Sequence, residues 1–449
     1  MNNQDTEHLR HIRHARKHFI AMAGAFALGV FNENFYKSAA AMLAVAAGLT
    51  ALQSWASLVF TLPFLALAPV TGWLADRFPK RSVVIGAKWM ELAAMLAGAV
   101  GICLVGHSPL GWPLVFVMLL LIGTQASAFS PALNGSIPEL YPEDYVPHAN
   151  GVLRTVVNLG IMAGTALAGV ALSAGEKQTC LIPNVPNGQL AVGCIVVVAA
   201  VVGLALSYGV VARPAAAPAS KFPWEAYRKT FRDLWTMRLD PPLAVAVAAT
   251  VFIFILGWVE FLVINPLGID QYKLGKAATG GLLASQLIGI GAGGLLAARL
   301  TNRGRWFRML LPSCALMTGA LLAVAAVPHV LAFSRTAQVT ALYLCIGMVG
   351  IGGGLFMVPV DSFIQVRPAA DRKGSVLAAV NFVVFSGMLL GSLAALPINK
   401  YMTPTNGMGL LGISSLLVTL LLIPAVRRWG QVKPAAPMTR FHVRDPECG

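Results

Sequence analysis

The chain has 449 residues, of which 57% are hydrophobic and only 11% are charged, and its mean hydropathy is +0.71. A soluble globular domain carries about 25% charged residues, so this composition excludes a soluble enzyme or a soluble binding module. The composition predicts a protein that crosses the membrane many times.

Twelve apolar runs follow one another along the chain, each close to the roughly 20 residues that a membrane-spanning helix needs. They predict an all-α membrane protein with an N-terminal six-helix bundle at 19–211 and a C-terminal one at 242–425, between tails at 1–18 and 426–449. The first run is too long for a signal-peptide core, so we expect it to remain as the first span. The predicted spans are 19–46, 50–74, 83–105, 112–137, 149–173, 189–211, 242–266, 277–300, 309–329, 339–361, 374–396 and 407–425.

The formal net charge of +15 could indicate a nucleic-acid-binding protein, but the positions of the basic residues do not. Most Lys and Arg lie in the two tails and in the loops near 76–82, 212–240, 299–308 and 367–373. This is the bias of the positive-inside rule, and it predicts that both termini are cytoplasmic. The basic excess is expected to meet anionic lipid headgroups, not nucleic acid.

The first span carries a polar run, Asn32 to Lys37, near its middle. A charged side chain at that depth costs at least about 2.5–3.5 kcal/mol. Glu33 and Lys37 are four residues apart, so one helical face can hold them as an ion pair. The pair could be a structural lock between helices, but Asn32 and Asn34 add more hydrogen-bonding capacity than a lock requires. We therefore predict a substrate-binding site here.

Other polar residues inside the predicted spans are candidates for the same site, because intramembrane ionisable groups are commonly functional. Glu260 could bind substrate or carry protons, or it could sit in water at the outer interface. Lys88 and Glu91 are one turn apart and are interpreted either as charges at the inner mouth of a cavity or as a snorkelling lysine with its helix neighbour. The further substrate-binding candidates are Gln125, Arg154, Asn158, Glu260, Asp361 and Asn381.

Residues 212–241 form the clearest boundary in the chain, a Pro/Ala stretch followed by a basic amphipathic segment. Trp224, Tyr227, Phe231 and Leu234 recur at spacings of three and four residues, which is typical of a helix lying on a membrane surface. This segment is predicted to be a cytoplasmic linker between the two bundles.

The segment 347–392 resembles the segment 123–169 upstream, which indicates that the chain consists of two related halves. In the later copy, an apolar glycine-rich run is predicted to end in a turn at Pro359 and Asp361, before a short basic loop.

The sequence gives no indication of a cofactor, a metal or catalysis. No cysteine or histidine spacing resembles a zinc or haem site, and no glycine-rich phosphate-binding motif occurs outside the spans. His148 has no acidic partner of the kind an acyltransferase motif needs. Cys180 and Cys194 bracket one outward loop and could form a disulfide or remain free thiols.

Gly72 to Arg81, in the turn after the second span, resembles the loop 2–3 signature of the major facilitator superfamily, with Pro79 in place of its second glycine. The resemblance implies that Gly72 allows a close helix contact and that Asp76 meets a helix N-terminus and basic groups. The implied conformational latch consists of Gly72, Asp76, Arg77, Lys80 and Arg81. The equivalent turn in the second half, 297–305, lacks the aspartate.

The run FNENFYKSA, the Lys88/Glu91 pair, the segment 123–140 and above all residues 358–392 resemble the lysophospholipid transporter branch of that superfamily. Two departures are Glu33, where aspartate is expected, and Asp361, where asparagine is common. The resemblance implies a monomer in the bacterial inner membrane that moves lysophospholipids, such as lysophosphatidylethanolamine, from the outer to the inner leaflet by alternating access. A separate cytoplasmic acyltransferase would then reacylate them. The alternative is a drug or metabolite exporter of the same superfamily, for which proton coupling is one option.

Overall fold

A computed structural model describes residues 3–141, 146–174, 180–212, 214–215, 217–300, 306–368 and 373–429. These residues form an all-helical protein, with a short π-helix after α8 and a 3₁₀ turn before α10. The α-helices are α1 (Asn3–Ala46), α2 (Ala51–Arg77), α3 (Lys80–Leu104), α4 (Gly111–Leu140), α5 (Val146–Ser173), α6 (Asn187–Ser207), α7 (Ala226–Met237), α8 (Pro241–Pro266), α9 (Lys276–Leu300), α10 (Leu310–Val330), α11 (Arg335–Val366), α12 (Lys373–Tyr401) and α13 (Pro404–Trp429).

Ten helices in the described ranges, α3–α6 and α8–α13, are long and apolar enough to cross a membrane. Helix α2 adds a shorter apolar stretch at Ala51–Leu67. Helix α1, which carries the polar run Asn32 to Lys37, is not among the ten. The membrane class is therefore confirmed, whereas the predicted count of twelve spans is not.

Helix α11 runs without interruption through Pro359 and Asp361 to Val366, so the turn predicted there is wrong. Proline removes one backbone hydrogen bond, but a membrane helix tolerates this because packed neighbours hold the helix and no water competes for its backbone. Phe356 and Phe363, on either side of the proline, are both buried and hold the helix against the rest of the C-terminal half.

Close backbone contact between α9 and α11 makes these two helices a single packed unit. A Cβ atom built on Gly350 would collide with the carbonyl oxygen of Gln286, and one built on Gly293 would collide with that of Ile351. Small residues at such positions let two membrane helices approach until their backbones touch. Gly350 therefore serves helix packing, together with Gly293 of the facing helix.

The two halves meet at the end of the bundle opposite α7, which we call the far end; the end that carries α7 is the linker end. Gln53 at the start of α2 donates from Nε2 to the carbonyl oxygen of Leu262 over 2.7 Å. Asn265 Nδ2 donates back to Gln53 Oε1 over 3.3 Å. Gly169 of α5 lies so close to Lys276 of α9 that a Cβ would collide with the backbone. Polar bonds and close packing thus join the halves at the far end.

Candidate functional site

A cavity of about 530 Å³ lies between the two halves. Both halves contribute to it, because α1, α2 and α5 form one wall and α8, α9, α11 and α12 form the other. Its polar and charged lining residues are Glu33, Asn34, Lys37, Gln53, Ser57, Thr165, Glu260 and Gln286.

Glu33 and Lys37 form the predicted ion pair on the α1 wall, with 2.8 Å between Lys37 Nζ and Glu33 Oε1. Their side chains keep 18% and 15% of their surface exposed, so water or a ligand in the cavity can reach both. The Lys37 ammonium also lies 3.8 Å from the centre of the Phe60 ring and 6.0 Å from that of Trp258. Aromatic faces attract cations at such distances, so α2 and α8 help to hold this charge in place.

Glu260 contributes a second carboxyl group from the α8 wall. Gln286 of α9 donates from Nε2 to Glu260 Oε2 over 2.6 Å. The other oxygen, Oε1, has no hydrogen-bond partner among the described residues, and only 1% of the residue is exposed. A buried carboxyl oxygen without a partner is costly, so this oxygen is a candidate acceptor for a proton or for a donor on a bound molecule.

The rest of the lining is apolar. Phe64 of α2 and Phe385 of α12 stack with their ring centres 4.5 Å apart, which joins the two walls. Flexible methionine side chains suit irregular apolar ligands. The large apolar lining residues include Phe26, Phe60, Phe64, Phe254, Trp258, Phe261, Met317, Met357, Phe385 and Met388. The cavity can therefore hold a molecule that has a charged end and a long apolar part.

Asn32 and Gln125, both predicted to bind substrate, lie away from the cavity wall inside the N-terminal half. Their amide groups donate to Glu91, over 3.3 Å from Asn32 to Oε1 and 3.4 Å from Gln125 to Oε2. Lys88 Nζ lies 2.6 Å from Glu91 Oε2. Because Lys88 and Glu91 are 0% exposed, their predicted place at the inner mouth of a cavity is corrected: they form a buried polar core among α1, α3 and α4.

Three further substrate-binding candidates, Asn158, Asp361 and Asn381, do not join the Glu33–Lys37 pair on the cavity lining. The side chains of Asn158 and Asn381 are exposed, and Asp361 is half-buried. The side chain of Arg154 lies outside the described part of the structure. Their predicted role in binding stays a prediction.

The predicted latch residues, Gly72, Asp76, Arg77, Lys80 and Arg81, lie at the linker end, where α2 ends and α3 begins. Two of them contact the segment that leads into α7. Arg77 Nη1 donates to Ser220 O over 2.7 Å, and Asp76 O accepts from Ala217 N over 2.8 Å. A Cβ on Gly72 would meet no described atom within 4 Å, so the close helix contact implied for it is not made here.

Sequence reasoning missed several residues of the cavity, and Phe60 and Gln53 illustrate why. Phe60 is an ordinary apolar residue of α2 in the sequence, and only the fold places its ring on Lys37. Gln53 is a polar residue at a helix start, a position where polar residues are common. A search for every amide side chain in an apolar run would have found Gln53, whereas no sequence signal marks Phe60.

Cys180 and Cys194 are both free thiols in this structure, which corresponds to the second of the two alternatives. Among the described residues, no group of three or more His, Cys, Asp or Glu side chains could hold a metal ion.

Comparison with known proteins yields one family and a group of named relatives. The model of a family described as "Major Facilitator Superfamily" matches residues 19–392. Proteins named "Lysophospholipid transporter LplT" from Salmonella paratyphi B and Salmonella newport are each 28% identical to the chain over 352 residues. The match covers 74% of this chain and 76% of each relative.

Solved transporter structures share the fold at low sequence identity. A POT family transporter in complex with 5-aminolevulinic acid has a TM-score of 0.68 at 13% identity, covering 90% of this chain and 96% of that one. A bacterial homologue of the iron transporter ferroportin in an inward-facing state has a TM-score of 0.66 at 17% identity, with coverages of 92% and 98%. At these identities the likeness concerns the fold alone.

Proposed function

This chain belongs to the Major Facilitator Superfamily, and from that premise we propose that it flips lysophospholipids, such as lysophosphatidylethanolamine, across the bacterial inner membrane. The chain is a multi-pass membrane transporter. The proposal concerns its cargo, the direction from the outer to the inner leaflet, and the residues that bind the headgroup. The LplT relatives, at 28% identity, support the same cargo.

The observation that carries the proposal is the uneven polarity of the cavity. An ion pair, Glu33 and Lys37, lies on one wall, while aromatic and methionine side chains form most of the remaining lining. A lysophospholipid has the same division, with a zwitterionic headgroup at one end and a single acyl chain. A small polar metabolite would leave the apolar lining unused.

The closed ion pair suggests why a zwitterion fits. Opening the pair without a replacement would leave two charges poorly solvated, which is costly at this depth. A headgroup that carries both an ammonium and a phosphate can satisfy Glu33 and Lys37 at once through charge-assisted hydrogen bonds. A purely cationic or purely anionic molecule would leave one partner unpaired. The pair thereby favours zwitterionic headgroups.

Alternating access would rock one half against the other around this site. The far-end contacts of Gln53 with Leu262 and of Gly169 with Lys276 must break whenever the cavity opens to that side. The basic loops of the linker end support a cytoplasmic position for that end under the positive-inside rule. The far end would then be the outer side, from which the substrate is taken.

Uptake of labelled lysophosphatidylethanolamine by spheroplasts that express the protein tests the proposal. We expect Glu33→Gln and Lys37→Gln each to lower uptake by at least about tenfold, because each leaves a partly buried charge unpaired. Glu225→Gln and Lys400→Gln are matched controls, since they remove the same charges from exposed positions outside the cavity, and they should transport normally. Addition of a protonophore reports whether a proton gradient contributes.

Two outcomes would change the assignment. If the double variant Glu33→Gln/Lys37→Gln regained the uptake that each single variant lost, the pair would be a structural lock. If the well-expressed protein took up no lysophospholipid, the exporter alternative would replace the proposal. Inside the cell, a separate cytoplasmic acyltransferase would be needed to reacylate the delivered lipid.

A further inference from the structure

Helix α7 is bonded to the N-terminal half by its first turn. The hydroxyl of Tyr227 donates to the carbonyl oxygens of Ala66, over 2.6 Å, and Leu65, over 3.2 Å. Four residues after Leu65, Pro69 has no N–H to give to that carbonyl, so one backbone acceptor of α2 lacks its usual helical donor. The single hydroxyl hydrogen of Tyr227 is shared between Ala66 O and the more distant Leu65 O, which gives α7 a specific attachment to the middle of α2.

The next turn of α7 contacts the C-terminal half. The Phe231 ring lies 5.6 Å from the Phe382 ring of α12, at an angle of 77°, an edge-to-face contact. Helices α2 and α12 themselves meet through the stacked rings of Phe64 and Phe385. Helix α7 therefore crosses the seam between α2 and α12 and contacts both halves.

The segment that enters α7 is also held. The carbonyl oxygen of Ser220 accepts from Trp73 Nε1 over 3.2 Å and from Arg77 Nη1 over 2.7 Å. The Phe222 ring packs edge-on against Trp73 with 5.3 Å between centres. The position of α7 is thus fixed from its N-terminal side by the turn between α2 and α3.

The surface that α7 presents outward combines large apolar rings with positive charge. Trp224, Phe231 and Trp235 are 84%, 59% and 64% exposed, far more than a water-facing surface normally shows. The one acidic residue of the helix, Asp233, is buried at 7%, and the exposed Glu225 just before the helix offsets a single basic charge of the outer face. The basic side chains of this segment, all exposed, are Lys221, Arg228, Lys229, Arg232 and Arg238.

We infer that this face of α7 binds the anionic headgroup surface of the membrane. The contacts that α7 makes across the α2/α12 seam then depend on the charge of that surface. Tryptophan rings settle at the headgroup level, and basic residues beside them are drawn to anionic lipid. A helix of twelve residues is too short to be stable alone in water, so its order depends on the surfaces that it contacts. This surface site is separate from the cavity and does not depend on the cargo.

Amide hydrogen exchange of the full chain in lipid nanodiscs tests the inference. One set of discs contains phosphatidylcholine alone, and the other contains a quarter phosphatidylglycerol. We expect the backbone amides of 224–239 to exchange at least about tenfold more slowly in the anionic discs, since each basic residue near the surface contributes about a fivefold preference. High salt should remove the difference by screening.

A triple variant, Arg228→Gln with Lys229→Gln and Arg232→Gln, should lose most of the difference between the two kinds of disc. Arg427→Gln with Arg428→Gln is the matched control, because it removes exposed basic residues from the last turn of α13, and it should keep the full difference. Equal exchange of the unaltered chain in both discs, or a lipid effect that survives the triple change undiminished, would overturn the inference.

Tyr227→Phe tests the coupling to the seam without changing charge. This variant should keep the slow exchange of α7 in anionic discs, while amides of α2 near residues 65–70 exchange faster, because the bonds to Leu65 and Ala66 are lost. Unchanged exchange in α2 would show that α7 binds lipid without acting on the seam. All of these readouts are exchange rates, so they stand even if the proposed cargo is wrong.

Discussion

Replacing Lys88 by methionine tests whether the polar core of the N-terminal half is structural. The side chains of Lys88 and Glu91 are each 1% exposed and their charges are 2.6 Å apart, so removal of the cation leaves a buried carboxylate with only two amide donors, from Asn32 and Gln125. Breaking a buried pair from one side costs about 3–5 kcal/mol. For a half of this size, that cost corresponds to a fall in melting temperature of roughly 10 °C.

The assay is thermal unfolding of the detergent-solubilised protein, followed by loss of the monodisperse peak in size-exclusion chromatography. Lys88→Met should show the full fall in melting temperature. Lys88→Met/Glu91→Leu should recover most of that fall, because neither charge of the pair remains buried. The recovery is incomplete, since Gln125 then loses its acceptor at a cost of about 1–3 kcal/mol. Lys400→Met, which removes an exposed lysine, should leave the melting temperature unchanged.

Additive losses in the double variant would refute the reasoning, because residues in contact should show a coupling free energy. The transport assay gives a second check. The residual folded protein with Lys88→Met should keep its apparent KM for lysophospholipid within about twofold, since neither residue of the pair lies on the cavity lining. If a variant of this pair were stable but failed to transport, Lys88 and Glu91 would have a direct role in transport.

Three further predictions follow from single contacts. Gln53→Leu should raise labelling of a cysteine placed at Ser57 by a reagent added from the far end, by up to about tenfold, because its two hydrogen bonds to α8, with Leu262 and Asn265, are lost. Gln271→Leu, which loses bonds to Thr405 within the C-terminal half, should not raise it. Gly350→Ala should lower the melting temperature markedly, since its Cβ would meet the backbone of α9 and overpacking costs about 1–3 kcal/mol. Gly347→Ala is the control and should be tolerated, because its Cβ would lie 3.7 Å from the nearest atom. Glu260→Gln should keep downhill uptake but lose any acceleration by a proton gradient, measured in vesicles with and without a pH difference; unchanged acceleration would exclude Glu260 as the proton carrier.

The ion pair on the cavity wall could be predicted because both of its members lie on one helix. Glu33 and Lys37 are four residues apart, and helical geometry alone brings their side chains together. Whether the side chains next to this pair point toward the cavity or away from it could not be predicted in the same way. Asn32 is rotated by about 100° from Glu33 around the helix axis, and only the packing of α3 and α6 against α1 turns it toward Glu91.

The misplaced turn at Pro359 has a different physical origin. In a soluble protein, a proline followed by an aspartate is a reasonable end for a helix, because water satisfies the exposed backbone. Inside a membrane that option is absent, and the buried rings of Phe356 and Phe363 keep the helix intact. Contacts between distant helices, such as Phe60 with Lys37 or Tyr227 with Ala66, leave no periodic pattern and appear only in three dimensions.

The buried pair of Lys88 and Glu91 also bears on how the protein is made. Both charges belong to α3 and are three residues apart, so they can leave the translocon together as a neutral pair. Their neighbours arrive at different times. Asn32 is synthesised earlier with α1, whereas Gly203, where an added Cβ would lie 3.4 Å from the Lys88 ammonium, comes last with α6. A nascent chain that stopped before α6 would leave this pair uncovered. These two charges would still face the lipid in an unfinished N-terminal half, whereas the completed half covers them.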